Sequence, residues 1–198
     1  EFVTDDKGAE YFIEAYTTPP QIVLCGGGHV SKAIYTLAKS LGFRVYITDD
    51  REEFANEERF PDVDGGVALK PEDALPNLPI NPNTFIVVAT RGHRYDNVAL
   101  ESAAKTPAKY VGLMGSKRKT IMIYEDLLRS GLALDRIREI RSPIGLDIHA
   151  RTPDEIAVSI MAEILMFRLG GTGLPMKLSE RDFDRIVNKV KGSSAVSG

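Results

Sequence analysis

The run Ile22-Val23-Leu24-Cys25-Gly26-Gly27-Gly28-His29-Val30-Ser31-Lys32 constrains this chain more than any other stretch. A short apolar segment ends in three glycines and passes straight into residues that recur at helical spacing: Val30, Ile34, Leu37 and Leu41, closed by Gly42. This predicts a first strand, a tight glycine turn and a helix N-terminus. Glycine suits such a turn because it takes positive φ and lets a ligand approach the backbone with no Cβ in the way. The helix start aims unpaired N–H groups and a positive dipole end at whatever lies over the turn, which favours an anion such as a phosphate.

Gly26, Gly28 and Ser31 fill the three places of the Gly-x-Gly-x-x-Gly dinucleotide fingerprint, with serine small enough to keep the helix close to the strand. An acidic residue is expected about 20 residues further on, at the end of the second strand, to hold ribose hydroxyls. Asp49 and Asp50 stand there, after Phe43-Arg44-Val45-Tyr46-Ile47-Thr48, and Arg51 follows as a candidate for a 2′-phosphate. The same turn can also shape such a fold without binding a dinucleotide.

The rest of the chain repeats the pattern. A short strand is expected at Val67-Ala68-Leu69. Residues 71–82 carry four prolines and read as a loop with at most one helical turn. Thr84 to Ala89 is continuous, β-branched and bounded by turn residues, as a strand buried on both faces should be. A helix is expected over Asp96–Lys105, a strand over Lys109–Met114, helices to about Arg129 and over Leu134–Glu139, and an extended run over Ile140–Ile148. Thr152-Pro153-Asp154-Glu155 is a capping box with proline at the first helical position, opening a helix to about Leu169. Alternating strands and helices predict an α/β fold, a Rossmann-like doubly wound parallel sheet. The expected organisation is a lead-in segment (1–18, with a strand near Tyr11-Phe12-Ile13) and a binding domain (19–170). A linker, a C-terminal helix near Ser179–Val190 and a flexible Gly/Ser tail complete it (171–198).

Composition excludes several classes. Of 198 residues, 25 are Lys or Arg and 28 are Asp or Glu, a formal charge of −3 that argues against nucleic-acid or membrane-surface binding by charge alone. Cys25 is the one cysteine, so no disulfide framework exists and a reducing compartment fits. With no apolar run near the ~20 residues of a membrane span and no basic-then-apolar leader, the expectation is a cytoplasmic protein. The chain opens without an initiator Met, as a fragment of a longer protein would.

Ligands in such folds bind at the carboxyl ends of the strands, and chemistry-bearing residues gather there. His29, His93 and His149 each follow a predicted strand. They could handle an anion or a metal, or be three independent loop histidines; no metal-ligand spacing exists, so no metal is assigned. Thr90-Arg91-Gly92-His93-Arg94-Tyr95-Asp96 offers a hydroxyl, guanidinium groups, an imidazole and a carboxylate. His93 and Asp96 are the acid–base candidates; alternatively the stretch is a solvated loop in which Asp96 caps the next helix. Gly115-Ser116-Lys117-Arg118-Lys119 puts three cations at a helix start, against the macrodipole, which predicts a bound anion or else an exposed charge run. Glu155, Ser159 and Glu163 form a polar stripe expected to face solvent or a partner. Cys25 is either a small buried residue or a thiol near the ligand with a lowered pKa.

Several long motifs in order carry a resemblance. Gly-Gly-Gly-His-Val (26–30), Gly-Phe-Arg-Val-Tyr-Ile-Thr-Asp-Asp-Arg (42–51), Tyr-Val-Gly-Leu-Met-Gly-Ser-Lys-Arg-Lys (110–119), Ser-Pro-Ile-Gly-Leu-Asp-Ile (142–148) and Thr-Pro-Asp-Glu-Ile-Ala-Val-Ser-Ile-Met-Ala-Glu-Ile (152–164) match. From Pro20 to about Phe167 the chain resembles the C-terminal Rossmann domain of the XdhC/CoxI family, accessory proteins of xanthine dehydrogenase and related molybdenum hydroxylases. The resemblance implies a homodimeric cytoplasmic maturation factor. Such a protein binds molybdenum cofactor (molybdopterin or its dinucleotide form), aids its sulfuration with a cysteine desulfurase as candidate partner, and delivers it to the apo-hydroxylase. NAD(P) is a second candidate ligand. The expected binding set is Gly26, Gly27, Gly28, His29, Val30, Ser31, Asp49, Asp50, Arg51, Thr90, His93, Gly115, Ser116, Lys117, Arg118 and Asp147. The chain departs from the family at two points: Arg91 replaces the first histidine of Thr-His-x-His-x-x-x-Asp, and His149 stands where glycine is expected. The alternatives are an NAD(P)-dependent oxidoreductase with His93 as acid–base, or an NAD(P)-sensing regulatory module. The resemblance favours a cofactor-binding chaperone over an enzyme.

Overall fold

The computed structural model describes residues 2–12 and 18–194. Phe2–Thr4 (β1) and Glu10–Phe12 (β2) pair antiparallel as a small hairpin, of which the sequence suggests only the second strand. Ile13 and the tail from 195 lie outside the described residues. There follow Gln21–Cys25 (β3), His29–Ser40 (α1), Arg44–Thr48 (β4), Gly65–Val67 (β5), Pro71–Ala74 (α2), Thr84–Val88 (β6), His93–Ala104 (α3), Tyr110–Leu113 (β7), Lys117–Arg129 (α4), Leu134–Glu139 (α5), Pro153–Leu169 (α6) and Glu180–Ser194 (α7).

Strands β3 to β7 form one parallel sheet ordered β5-β4-β3-β6-β7. Counted from β3 this is the 3-2-1-4-5 order of a Rossmann sheet. The extended run after α5 continues it. Arg141 bridges Gly112 in parallel, and Ile144 N–H donates to Leu113 O, so residues 141–144 lie beside β7. The sheet is buried on both faces. Ile22 and Leu24 face a core shared with Ile34 of α1 and Ile160 and Ile164 of α6. Val23 and Cys25, pointing the other way by the two-residue period of a strand, join Ala99 and Leu100 of α3 and Ile123 and Leu127 of α4.

Some boundaries move from their expected places. The third strand of this sheet is 65–67 rather than 67–69, because its register against β4 pairs Gly65 with Tyr46 and Val67 with Thr48, after which Leu69 turns back onto Val67. Residues 71–77 hold two short helical turns, Pro71–Ala74 and a 3-10 turn at Leu75–Asn77. The helix after β6 starts at His93, with Gly92 as its N-cap, so Asp96 does not cap it. The capping box at Thr152 forms fully. Of the polar stripe on α6, Glu155 is exposed as expected, but the other two members do not face solvent. Ser159 and Glu163 are buried; Ser159 Oγ donates to Leu146 O (2.5 Å), and the Glu163 carboxylate accepts from Tyr110 OH (2.8 Å) and Gly145 N–H (2.7 Å). Tyr110 loses solvent and sits against the Glu163 charge, and both raise its pKa. Among the described residues no helix is long and apolar enough to cross a membrane.

Candidate functional site

The reversal of strand order falls between β3 and β6, and the site is built on the loops above it. Gly26 has φ +107, and a Cβ there would collide with Ala89 O, just past the end of β6. Gly27 is closed in differently: a Cβ would fall on the carbonyl of Phe54, from the segment that crosses over the turn after β4. That segment is bound in place by Arg59 Nε, which donates to Gly27 O (2.8 Å). Gly28, the N-cap of α1, has open space around it and extended backbone angles, and no side chain caps the helix. Three residues on, Ser31 is buried, and its Oγ has no hydrogen-bond partner among the described residues. Gly28, His29, Val30 and Ser31 line a crevice of about 250 Å³ together with Asp49, Arg51, Ala89, Thr90, Arg91 and Met114.

Asp49 stands at the end of β4, where a ribose acceptor is expected, but it is occupied. Oδ2 accepts from Gly27 N–H and Arg51 Nη2 (both 3.0 Å); Oδ1 accepts from Arg51 Nε (2.9 Å) and Arg51 N–H (3.1 Å). A carboxylate offers about four lone-pair sites, and these bonds use all four. Burial works to raise the Asp49 pKa, but the Arg51 and Gly27 hydrogen bonds outweigh it and hold the pKa below the usual range. Arg51 is pinned in turn, its guanidinium 3.7 Å from the centre of the Phe54 ring. Asp49 and Arg51 therefore brace the glycine turn.

Asp50 does not line that crevice; it meets Arg91 Nη2 at 2.7 Å across the switch point. Arg91 also donates to Tyr95 OH (3.1 Å) and lies 4.6 Å over that ring. On the far side of Arg91 a second, narrower crevice is lined by Gly26, Thr48, Asp49, Asp50, Lys70, Pro71, Thr90, Arg91 and Tyr95. Arg91 thus partitions the switch-point opening.

Asp96 is fully buried. Its Oδ1 accepts from Thr90 N–H (3.0 Å) and Thr90 Oγ1 (2.7 Å), and its Oδ2 is ion-paired with Lys119 Nζ. The pair ties the first turn of α3 to the start of α4, while the Thr90 bonds hold the loop after β6 to the same carboxylate. One of the three cations at that helix start is therefore answered by the protein's own Asp96, while Lys117 and Arg118 are exposed and Ser116 Oγ caps the helix by accepting from Lys119 N–H. Gly115 lies directly under the Lys119 side chain.

His29 and His93 follow the ends of β3 and β6, as expected; His149 does not follow a strand, because the run over 140–148 makes only an isolated bridge at Arg141, and the three have separate neighbours. His29 lines the glycine-turn crevice. His93 Nε2 lies 3.7 Å from Asp126 on α4, and its Nδ1 is buried with no partner among the described residues. His149 Nδ1 contacts Asp147 Oδ1 (3.0 Å) on an exposed loop, and this contact lowers the Asp147 pKa. His149 has φ +58, a left-handed backbone conformation consistent with the glycine expected there. Among the described residues no three His, Cys, Asp or Glu side chains gather as metal ligands. Cys25 is buried on the α3 face, and burial together with the Asp96 charge pushes its thiol pKa up, which removes the reading of a ligand-facing, acidified thiol.

Of the expected site residues, the switch point thus gathers Gly26, Gly28, His29, Val30, Ser31, Asp49, Asp50, Arg51 and Thr90. Asp147 belongs instead to a groove along residues 143–150 and α6. Lys70 and Tyr95 were not expected. Lys70 sits past the carboxyl end of β5, and Tyr95 one helical turn after Arg91, so the strand-end rule and i, i+4 spacing could have found them.

A parallel sheet of this order, with a glycine turn and a crevice at its switch point, defines a Rossmann-type ligand-binding domain. The chain belongs to the XdhC family: the profile described as "XdhC Rossmann domain" matches residues 22–164. It is 35% identical over 180 residues to the uncharacterized protein YqeB of Escherichia coli K12, covering 89% of this chain and 32% of that protein. It is 32% identical over 163 residues to a Bacillus subtilis 168 protein named as a probable subunit of xanthine dehydrogenase, covering 82% and 47%. A shorter match, 26% over 90 residues, covers 46% of this chain and 28% of the Escherichia coli K12 molybdenum cofactor insertion chaperone PaoD. Among solved structures, a Bacillus halodurans protein described as a xanthine dehydrogenase superposes with a TM-score of 0.69 at 28% identity, covering 78% of this chain and 46% of that one. The chain thus spans less than half the length of these relatives.

Proposed function

We propose that this chain is a cargo-binding module in the maturation of xanthine dehydrogenase-type molybdenum hydroxylases, holding molybdenum cofactor by its phosphate or dinucleotide pyrophosphate at the start of α1. The observation that carries this reading is the uncapped helix start: open space at Gly28 and a buried, unpartnered Ser31 hydroxyl beside it. A buried hydroxyl left without a partner is costly, and a phosphate oxygen would satisfy it along with the free N–H groups. The names of the Bacillus subtilis relative and of PaoD supply the cargo and the client class.

In this reading Gly28, His29 and Ser31 hold the phosphate, and Thr90 and Asp50 face the ring-bearing part. Lys117 and Arg118 add positive charge at the neighbouring helix start on the same edge of the sheet, after the turn at Gly115. Asp49 and Arg51 keep the turn in shape. The cargo, once delivered, supplies the redox centre of the hydroxylase. Cys25 is buried in the native fold and so is not placed to carry sulfur to the cargo; a cysteine desulfurase is the proposed source of that sulfur. The homodimer and the apo-hydroxylase as recipient rest on the family resemblance. A nicotinamide dinucleotide would use the same turn; the names of the relatives, rather than the geometry of the turn, rank the oxidoreductase and sensor readings second.

The test is anaerobic gel filtration with molybdenum cofactor, scored by pterin fluorescence, with and without excess NAD or NADP. Pterin that co-elutes, survives nucleotide and is lost in Gly28→Asp is the expected result. Absence of pterin, with nucleotide raising the melting temperature as binding to the native state must, overturns the proposal.

A further inference from the structure

Arg91 makes fewer bonds than it can. A guanidinium has five N–H donors in a fixed fork. Here Nη2 serves both Asp50 and Tyr95 OH, and among the described residues Nε and Nη1 donate to no protein acceptor. The side chain is 39% exposed and rests on the Tyr95 ring, a support that orients the guanidinium without using its donors. Its partner is similarly half-engaged: Asp50 Oδ2 takes Arg91, and Oδ1 accepts nothing from the described residues. Contrast Asp49 next door, whose four acceptor sites are filled from within. One carboxylate is built into the turn; the other is held by a single exposed ion pair across the mouth of the site. Exposed pairs of this kind are weak, so they exchange readily.

We infer that Arg91 is an exchangeable anion-binding arm: it leaves Asp50 to grip the phosphate or pyrophosphate of the ligand over the glycine turn, and the released Asp50 accepts hydrogen bonds from the hydroxyls or ring N–H groups of the same ligand. The inference rests on the proposed site at the start of α1. It commits to a chemistry rather than a source, namely a phosphoanhydride carrying a ring rich in donors, which a pterin dinucleotide and a nicotinamide dinucleotide share. Two features of the geometry carry it. Arg91 lines both crevices, so a ligand that spans the switch point must meet it. Bidentate contact with a phosphate also uses the fork donors that the present arrangement leaves unpaired.

The experiment is a double-mutant cycle read by calorimetric titration with inorganic pyrophosphate, which probes the arm independently of any pterin. Asp50→Asn frees the arm and should tighten pyrophosphate binding about three- to fivefold, the scale of a lost exposed ion pair. Arg91→Ala should weaken it by about tenfold or more, with Arg91→Lys between, because lysine keeps the charge and loses the fork. In the Arg91→Ala background Asp50→Asn should tighten binding less than it does in the parent, because only relief of charge repulsion remains. That comparison separates release of the arm from simple removal of a negative charge: if Asp50→Asn tightens binding equally in both backgrounds, the exchange is refuted. It is equally refuted if Asp50→Asn changes nothing or weakens binding, or if pyrophosphate binds no variant. Circular dichroism melts within a few degrees of one another certify that all variants fold. Titrations with NADH and gel filtration with molybdenum cofactor then distinguish the sources. A pyrophosphate cycle with the expected pattern but no pterin co-elution keeps the arm and discards the proposed cargo.

Discussion

Gly28→Asp should move stability and binding in opposite directions. Position 28 is the N-cap of α1, its backbone is already extended (φ −68, ψ −172), and a Cβ built there meets nothing within 4 Å. Aspartate is therefore accepted without a clash and can take a free N–H of the first turn. Relative to glycine, the cap and the macrodipole together should add roughly 0.5–1 kcal/mol, which for a domain of this size is a rise of about 1–3 °C in Tm. For an anionic ligand the same carboxylate is prohibitive. It occupies the N–H groups the phosphate needs, and two unit charges ~4 Å apart at an effective dielectric near 20 repel by about 4 kcal/mol. Screening at physiological salt reduces this, leaving an expected loss of about a hundredfold or more in affinity. Thermal melts and calorimetric titration with pyrophosphate give both quantities on one sample. A variant that binds like the parent would show that the anion lies elsewhere than the start of α1. A variant that melts well below the parent would refute the capping geometry itself.

Other perturbations test the scaffold around the site. Lys119→Met leaves Asp96 as an unpaired buried carboxylate and should cost about 3–5 kcal/mol in urea unfolding, most of it recovered by adding Asp96→Asn. Glu163→Ala strips the acceptor from Tyr110 OH and Gly145 N–H and should cost roughly 2–4 kcal/mol, with faster amide exchange over residues 144–149. Asp49 has a folded pKa below its unfolded value of about 3.9. Its contribution to stability is therefore complete above that unfolded value and is lost as pH falls through the lower folded one; Asp49→Asn should flatten that acid decline in melts between pH 5 and 2. Cys25 should resist thiol reagents in the native protein and react fully on unfolding; rapid native labelling would contradict its burial.

Much of this was legible because periodicity and turn chemistry are local. The strand at 84–88, the helix of 153–169 with its capping box, and the glycine turn all appear where the pattern puts them. The strand-end rule placed His29, His93, Asp50 and Thr90 on the carboxyl edge, but not His149, whose expected strand over 140–148 does not form. What failed did so where partners come from distant segments. Glu163 and Ser159 look like a solvent-facing stripe until the loop at 145–146 and Tyr110 close over them. Lys119 looks like surplus charge until Asp96 is found beneath it. Asp49 and Asp50 are adjacent acidic residues with nothing in the local pattern to tell them apart.

The sequence by itself determined the α/β class and the order of the sheet's elements, since these follow from spacing along the chain: period two for strands, 3.6 for helices, glycine and capping residues at their boundaries; its long motifs, not its periodicity, carried the family resemblance. Only the tertiary structure decided which charges are spent internally and which remain to meet a ligand. That choice depends on through-space pairing between residues far apart in the chain. Asp49 is consumed by Gly27 and Arg51, Asp96 by Thr90 and Lys119, while Asp50 and Arg91, 41 residues apart, face each other across the opening with bonds to spare.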